Sequence, residues 1–192
     1  MENIPEIRTP RLLLRAWRPE DLDPFAAMSA DPEVMRHFPA TLTRAECAAM
    51  IDRIQAHFAG HGFGPWAVEL PGEAPFIGMV GLAVPRFQAA FTPCVEIAWR
   101  LARAHWGHGY VTEAGRAALH RGFTVHGLEQ IYAFTVPANV RSRAVMERLG
   151  LRHSPDEDFD HPMLAEGHPL RRHVLYRIRR EAFQPLTASA GA

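Results

Sequence analysis

The sequence predicts an α+β fold, a mixed α/β arrangement in which a mostly antiparallel twisted sheet is flanked by helices. Two observations favour it: helical patterns precede three consecutive strand-like segments, and a strand, helix, strand, helix, strand succession follows them. A chain of 192 residues with 47% hydrophobic and 22% charged residues is typical of one soluble globular domain. We therefore expect a single domain over residues 1–181 and a disordered tail over residues 182–192.

The N-terminal third is predicted to hold one strand and two helices. Residues 11–17 form an apolar run between Pro10 and Pro19, which indicates a strand. Acidic residues then mark the start of a first helix, and a second helix begins after Thr43. Apolar residues of the second helix recur at spacings of three and four, which predicts one buried face made by Ala45, Ala48, Ile51, Ile54 and Phe58.

The central segment is predicted to form an antiparallel meander. Strand patterns cover residues 65–70, 76–84 and 94–101, with turn residues between them. The remaining elements are a helix over 110–126, a strand over 130–136, a helix over 139–150 and a strand over 171–180.

The composition excludes several classes of function. The 21 basic residues balance the 21 acidic ones, so the chain lacks the positive field typical of proteins that bind nucleic acid or anionic membrane. No lysine occurs, which excludes a lysine nucleophile or Schiff base. Cys47 and Cys94 lie far apart, and none of the 11 histidines has metal-ligand spacing, so we expect neither a disulfide nor a metal. The polar N-terminus and the lack of a long apolar run favour the cytoplasm.

Two glycines precede the helix predicted at residue 110. Gly107 and Gly109 allow successive backbone N–H groups to converge on an anion, and the free amides of a helix N-terminus add to such a site. Thr112 could add a hydroxyl donor. The alternative is a glycine turn with a helix cap and no ligand. The motifs of nucleotide kinases and dehydrogenases are absent, which disfavours both classes.

Several segments, in order, resemble the GNAT superfamily of acyl-CoA-dependent N-acetyltransferases. They are "VEIAWRLARAHWGHGYVTEAGRAAL" and "NVRSRAVMERLGL", while "TPRLLLRAWRPEDLDPF" and "DPEVMRHFP" resemble its RimJ/RimL-like branch, the ribosomal-protein N-terminal acetyltransferase type. The resemblance covers residues 8–180. It implies a sheet splayed in its middle, acetyl-CoA as donor substrate, a protein N-terminus or small amine as acceptor, and a monomer or homodimer.

The resemblance also implies a coenzyme A site. In the family pattern Q/R-x-x-G-x-G/A, Gly107 and Gly109 match the glycines, whereas Ala104 stands at the Q/R position and Arg103 offers a substitute one residue earlier. Asn139 is implied to lie against the pantetheine or phosphate. The other implied contacts come from two segments, a strand that pairs with the pantetheine and a loop that binds the phosphates: Ala98, Trp99, Arg100 and Leu101, and Trp106, Gly107, His108, Gly109, Tyr110, Val111 and Thr112.

Two residues are candidates for the chemistry. Strand alternation places Glu96 on a face with Ala98 and Arg100, opposite Val95, Ile97, Trp99 and Leu101. The resemblance implies that Glu96 takes the proton of the amine, directly or through water; the alternative is that Glu96 faces solvent or pairs with Arg100. The resemblance also implies that Ser142 lies near the sulfur of coenzyme A. Many relatives have a tyrosine acid where this chain has Met146, so Ser142, or a water that it holds, is the candidate proton donor.

An acidic stretch is the candidate acceptor site. Asp156, Glu157, Asp158 and Asp160 precede His161 in the long connection before the last strand. These residues are either a solvated loop or a wall that attracts a cationic amine.

The sequence therefore predicts an acetyl-CoA-dependent N-acetyltransferase that transfers directly within a ternary complex. The alternative is a non-catalytic acyl-CoA-binding sensor or interaction module, which the departures at Ala104 and Met146 keep open.

Overall fold

The computed structural model describes residues 4–184. A short 3₁₀ turn, Arg180–Ala182, follows the last strand. The predicted disordered tail lies outside the described residues from position 185 onward.

Nine strands form one sheet within residues 4–184, and eight of them follow the order β1-β2-β3-β4-β5-β6-β9-β7, with β8 pairing on β9. The predicted meander is confirmed, because β2 to β5 pair antiparallel in succession. The strands are β1 Ile7–Arg8, β2 Leu13–Arg15, β3 Pro65–Leu70, β4 Ala74–Ala83, β5 Glu96–Leu101, β6 Gln130–Thr135, β7 Arg152–His153, β8 Phe159–Asp160 and β9 Arg172–Arg179.

Four α-helices accompany the sheet in the described part: α1 Leu22–Ala30, α2 Arg44–His61, α3 Tyr110–Thr124 and α4 Val140–Arg148. Thr43 starts α2 through a capping box with Glu46, and Gly62 ends it in the left-handed region at φ 75°. The buried face of α2 differs from the prediction in its first turn. Ala45 is exposed, and the thiol of Cys47 takes the buried position together with Ile51, Ile54 and Phe58.

The sheet splays between β5 and β6, as predicted. These parallel neighbours pair at Glu96 and Tyr132, where the N–H of Tyr132 donates to the carbonyl of Val95 across 2.9 Å. β6 is paired on its other edge with β9 along its whole length. The facing edges of β5 and β6 therefore diverge beyond Glu96 and leave a cleft.

The two faces of the sheet carry different helices. Ile97 of β5 approaches Gly115 of α3, and a methyl carbon of Ile97 would lie 3.6 Å from a Cβ added there. Arg100 points the other way and bonds Ser29 of α1. The odd-numbered residues of β5 thus face α3, and the even-numbered ones, Glu96 included, face the α1 side.

No helix of residues 4–184 is long and apolar enough to cross a membrane.

Candidate active site

The cleft between β5 and β6 exposes backbone groups of β5. The N–H of Ala102 donates to the carbonyl of Ile77 across 2.9 Å, so the alternation of an antiparallel ladder turns the polar groups of Ala98 and Arg100 toward β4. Those of Trp99 and Leu101 turn toward the cleft. The indole N–H of Trp106 donates to the carbonyl of Leu101 across 2.8 Å, which leaves the backbone N–H groups of Trp99 and Leu101 as donors for a ligand.

The glycine loop at the open end of this cleft presents a row of free amides. Gly107 and Gly109 have φ of 82° and 80°, values that side chains disfavour. The first bond of α3 runs from the N–H of Glu113 to the carbonyl of Gly109, at 3.0 Å. The amides of residues 107–112 have no partner among the described residues. Six consecutive N–H groups at a helix start fit a pyrophosphate.

An arginine of the N-terminal strand region clamps this loop from outside. Nε of Arg11 donates to Glu113 at 2.6 Å and Nη1 donates to the carbonyl of His108 at 2.9 Å, while the guanidinium lies 4.8 Å from the ring centre of Tyr110. Thr9 adds a bond to Glu113 at 2.6 Å. Burial raises the pKa of Glu113, but these hydrogen bonds lower it by a larger amount. The pKa of Glu113 therefore lies below its ordinary value. Sequence reasoning missed this clamp because its partners are separated by about a hundred residues.

Glu96 lies at the closed end of the cleft, where β5 and β6 still pair. It is partly buried, and no ion pair with Arg100 or another residue of 4–184 holds it. Burial raises its pKa to about 8. The thiol of the nearby Cys94 does not compete for the proton, because burial and the charge of Glu96 raise its pKa to about 12. Glu96 is therefore a carboxyl group able to accept a proton near neutral pH.

Ser142 lies beside β5, on the α3 face. Its hydroxyl accepts from the indole N–H of Trp99 at 3.3 Å. Its own N–H donates to the side-chain oxygen of Asn139 at 3.3 Å, so Asn139 caps α4, and the amide nitrogen of Asn139 donates to Thr135 at 3.0 Å. Met146 is buried at 2% exposure and has no proton to give.

Two exposed arginines flank the same region. Arg103 lies 3.5 Å from Asp31, and Arg141 lies 3.7 Å from Glu33 and 4.7 Å from the ring centre of Trp106. The side chain of Arg103 is 65% exposed and is ion-paired with Asp31, and Ala104 follows it in the 3₁₀ turn Arg103–His105.

Three carboxylates of the acidic stretch are held by neighbouring side chains. Asp158 accepts from His153 at 2.7 Å and from the N–H of Leu175 at 3.1 Å. Glu157 pairs with Arg177 at 2.9 Å, and Asp160 pairs with Arg171 and Arg172 at 3.6 and 3.5 Å. Asp156 is exposed and has no charged partner among the described residues, so it is the carboxylate of this stretch available to a ligand.

An aromatic cluster brings the acidic stretch to the start of β5. Phe159 packs against Phe91, with ring centres 4.8 Å apart, and against Phe134 of β6 at 5.7 Å. His161 lies 4.5 Å from Phe87, and burial, together with the neighbouring His173, lowers its pKa. Because Phe91 also contacts Tyr132, the partner of Glu96 in the sheet, the cluster adjoins the Glu96 end of the cleft.

Comparison with known proteins relates the sequence to acetyl transfer. The pattern of the family described as acetyltransferase (GNAT) domain matches residues 11–152. YkkB of Bacillus subtilis is 31% identical over 147 residues, which cover 76% of this chain and 84% of that protein. An Aspergillus fumigatus protein named FsC-acetyl coenzyme A-N(2)-transacetylase is 31% identical over 194 residues, covering 92% and 77%. The N-acetyltransferase YnaD of Bacillus subtilis is 27% identical over 176 residues, covering 91% and 97%.

Solved structures show the same fold. A GNAT-family acetyltransferase of Bacillus anthracis superposes with a TM-score of 0.75 at 24% identity, covering 92% of this chain and 99% of that one. Mycobacterium smegmatis RimJ, solved with CoA-disulfide, superposes with a TM-score of 0.70 at 24% identity, covering 92% and 87%.

Proposed function

This chain belongs to the acetyltransferase (GNAT) family and is an N-acetyltransferase, and we propose that it transfers the acetyl group of acetyl-CoA directly to a primary amine in a ternary complex. The observation that carries the proposal is the position of Glu96. A carboxyl group with a pKa of about 8 lies at the closed end of a cleft, and six free amides lie at its open end.

The donor would be held by the backbone. The amides of residues 107–112 bind the pyrophosphate, and the N–H groups of Trp99 and Leu101 pair with the pantetheine arm. One of these N–H groups donates to the acetyl carbonyl and stabilises the negative charge that develops on its oxygen. Arg103 and Arg141 supply positive charge for the phosphates.

Glu96 removes the proton from the attacking amine, directly or through a water. Ser142 protonates the departing sulfur or holds the water that does so. The hydroxyl of Ser142 is a weak acid, but a thiol with an ordinary pKa near ~8.5 leaves with little assistance. The contribution of Ser142 is therefore smaller than that of Glu96.

Direct transfer is supported by the state of the thiols. Cys47 is fully buried and out of reach of a ligand, and the pKa of the Cys94 thiol is raised to about 12, so neither side chain is placed to form an acetyl-enzyme. Ser142 accepts a hydrogen bond from Trp99, a donor that does not activate a nucleophile.

For the acceptor we propose a protein N-terminus or a small-molecule amine. The sequence resembles the RimJ/RimL-like branch, and the fold is similar to that of the Mycobacterium smegmatis RimJ. The name of the Aspergillus relative gives a nitrogen, N(2), as the atom acetylated by that protein. Asp156 is the carboxylate that we assign to attracting the cationic amine, with His161 in the adjoining aromatic wall.

Thiol release from acetyl-CoA, measured against a panel of short peptides and small amines, tests this function. Acceptor-dependent release that leaves an acetylated amine supports it. Tight CoA binding with no release across the panel would instead support a non-catalytic acyl-CoA-binding module, the role that Met146 in place of a tyrosine favours.

A further inference from the structure

A buried arginine on the acceptor side of β5 has no carboxylate partner among residues 4–184. Arg100 is 7% exposed, and in residues 4–184 its one hydrogen bond runs from Nη1 to the hydroxyl of Ser29, at 3.1 Å. Its Nε is buried and has no hydrogen-bond partner in the described part of the chain. No carboxylate of the described residues forms an ion pair with it. Burial of a guanidinium without a counter-charge is unfavourable, so this arrangement calls for an explanation.

The same chain contains a buried arginine that is fully paired. Arg15 is 1% exposed, and it binds Asp21 through two hydrogen bonds of 2.7 and 2.8 Å and Glu69 through a third of 2.7 Å. Although burial lowers the pKa of Arg15, these carboxylates raise it overall. Arg100 differs, because burial lowers its pKa to about 10 and only the neighbouring Cys47 sulfur acts in the opposite direction. At neutral pH Arg100 still carries its proton and its charge.

Aromatic rings hold the guanidinium of Arg100 in place without neutralising it. Phe38 lies 4.5 Å from it and Phe25 lies 5.9 Å from it, measured to the ring centres. Phe38 is itself 38% exposed, so this side of the guanidinium lies close to solvent. A ring stacked on a guanidinium leaves the N–H groups at its edge directed within the plane, where a carboxylate or phosphate binds.

Arg100 lies on the same face of β5 as the proposed base. The side chains of Glu96, Ala98 and Arg100 all point to this face. Four residues of strand separate Glu96 from Arg100, a distance of ~13 Å at the backbone. Ala98 between them is small and partly exposed. An acceptor lying along this face could place its amine at Glu96 and its other end at Arg100.

We propose that the guanidinium of Arg100 binds an anionic group of the acceptor, so that the substrate is an amine that also carries a carboxylate or phosphate. The inference rests on the proposed acetyl transfer, since it assigns the acceptor of that reaction. Ser29 orients the guanidinium through its hydroxyl, and Arg100 acts as a specificity-determining residue.

The test uses matched acceptors that differ in one group. ω-Amino carboxylates from aminobutyrate to aminooctanoate are compared with their primary amides and with the corresponding aminoalkyl phosphates. Binding to the protein–CoA complex is measured by calorimetry, and kcat/KM is measured with acetyl-CoA. The wild type should favour at least one anionic series over the amides by about 10-fold or more, as expected for a charge-assisted hydrogen bond, and the better anion distinguishes carboxylate from phosphate.

The ratio of anionic to neutral acceptor should fall close to one in Arg100→Gln. Ser29→Ala, which keeps the charge, should lower the same ratio by less and provides the test if Arg100→Gln does not fold. Arg36→Gln removes an exposed arginine from the neighbouring loop and should leave the ratio unchanged.

Three results would overturn the proposal: equal binding of anions and amides by the wild type, an unchanged ratio in both variants, or an effect of Arg100→Gln on CoA affinity alone. Anion binding that depends on Arg100, but without turnover, would keep this site and reject the proposed reaction. Turnover of amines with no preference for anions would keep the proposed reaction and reject the anion site at Arg100.

Discussion

The indole N–H of Trp99 donates to the hydroxyl of Ser142 across 3.3 Å, and this bond joins the middle of β5 to the first turn of α4. It fixes the hydroxyl beside the strand whose backbone lines the cleft. The bond orients Ser142 with its proton directed away from the indole, since the hydroxyl oxygen is the acceptor.

Ser142→Ala should lower kcat by up to ~10-fold and leave CoA affinity unchanged, because a thiolate is a fair leaving group without an acid. The deficit should persist or grow as the pH rises and protons become scarce. Trp99→Phe, which removes the N–H and keeps an aromatic ring, should produce a smaller loss of the same kind. Wild-type kcat for Ser142→Ala across the pH range would remove Ser142 from the mechanism.

Gly109→Val should weaken CoA binding by ~10-fold or more, because the added side chain crowds phosphates bound at the amides and disfavours the left-handed backbone. The matched control is Gly127→Val, at φ 64° with open space around it and outside the loop. Both variants should lose stability through the same backbone strain, but calorimetry should show weaker CoA binding for Gly109→Val alone. Equal CoA affinities in the two folded variants would refute the loop assignment.

Glu113→Gln should weaken CoA binding by ~3- to 10-fold with little change in kcat. The change removes the carboxylate that fixes Arg11, so Arg11 holds the carbonyl of His108 less firmly. Arg8→Gln is the control, because the side chain of Arg8 is exposed and among the described residues bonds only that of Glu6. A Glu113→Gln protein with unchanged CoA affinity would show that the clamp does not position the loop.

Asp156→Asn should raise the KM of a cationic amine by ~2- to 3-fold and leave the KM of acetyl-CoA unchanged, an effect of the size expected for an exposed charge. Glu166→Gln, an exposed acid on the same connection, should change neither constant. If both variants raise the KM equally, the effect is a general one of net charge and Asp156 has no particular place in the acceptor site.

The parts of the fold and site that could be predicted are those with local causes. Thr43 and Glu46 cap α2 through adjacent residues, and strand alternation alone separates Glu96 from Trp99. The two glycines predict a loop before α3, and in the structure both adopt the positive φ values that glycine tolerates.

The remaining contacts depend on tertiary packing. The bond from Arg100 to Ser29 joins residues 71 apart in sequence, and the bond from Arg11 to Glu113 joins residues 102 apart. The strands β1, β7 and β8 have two residues each, too few for alternation to be seen. The acidic stretch was predicted from charge, but its arginine and histidine partners come from other strands and turns.

The central claim, that Glu96 is the base, is tested most directly by the kcat/KM profile of the wild type and Glu96→Gln between about pH 6 and 10. The base works in its ionised form, and burial raises its pKa to about 8. At pH 7 about a tenth of Glu96 is ionised, so wild-type activity should rise with pH and level off above about 8. Glu96→Gln should bind CoA normally and lose ~10²-fold or more at neutral pH, with partial recovery at high pH, where solution deprotonates the amine. A Glu96→Gln enzyme with the wild-type rate and pH profile would contradict the account.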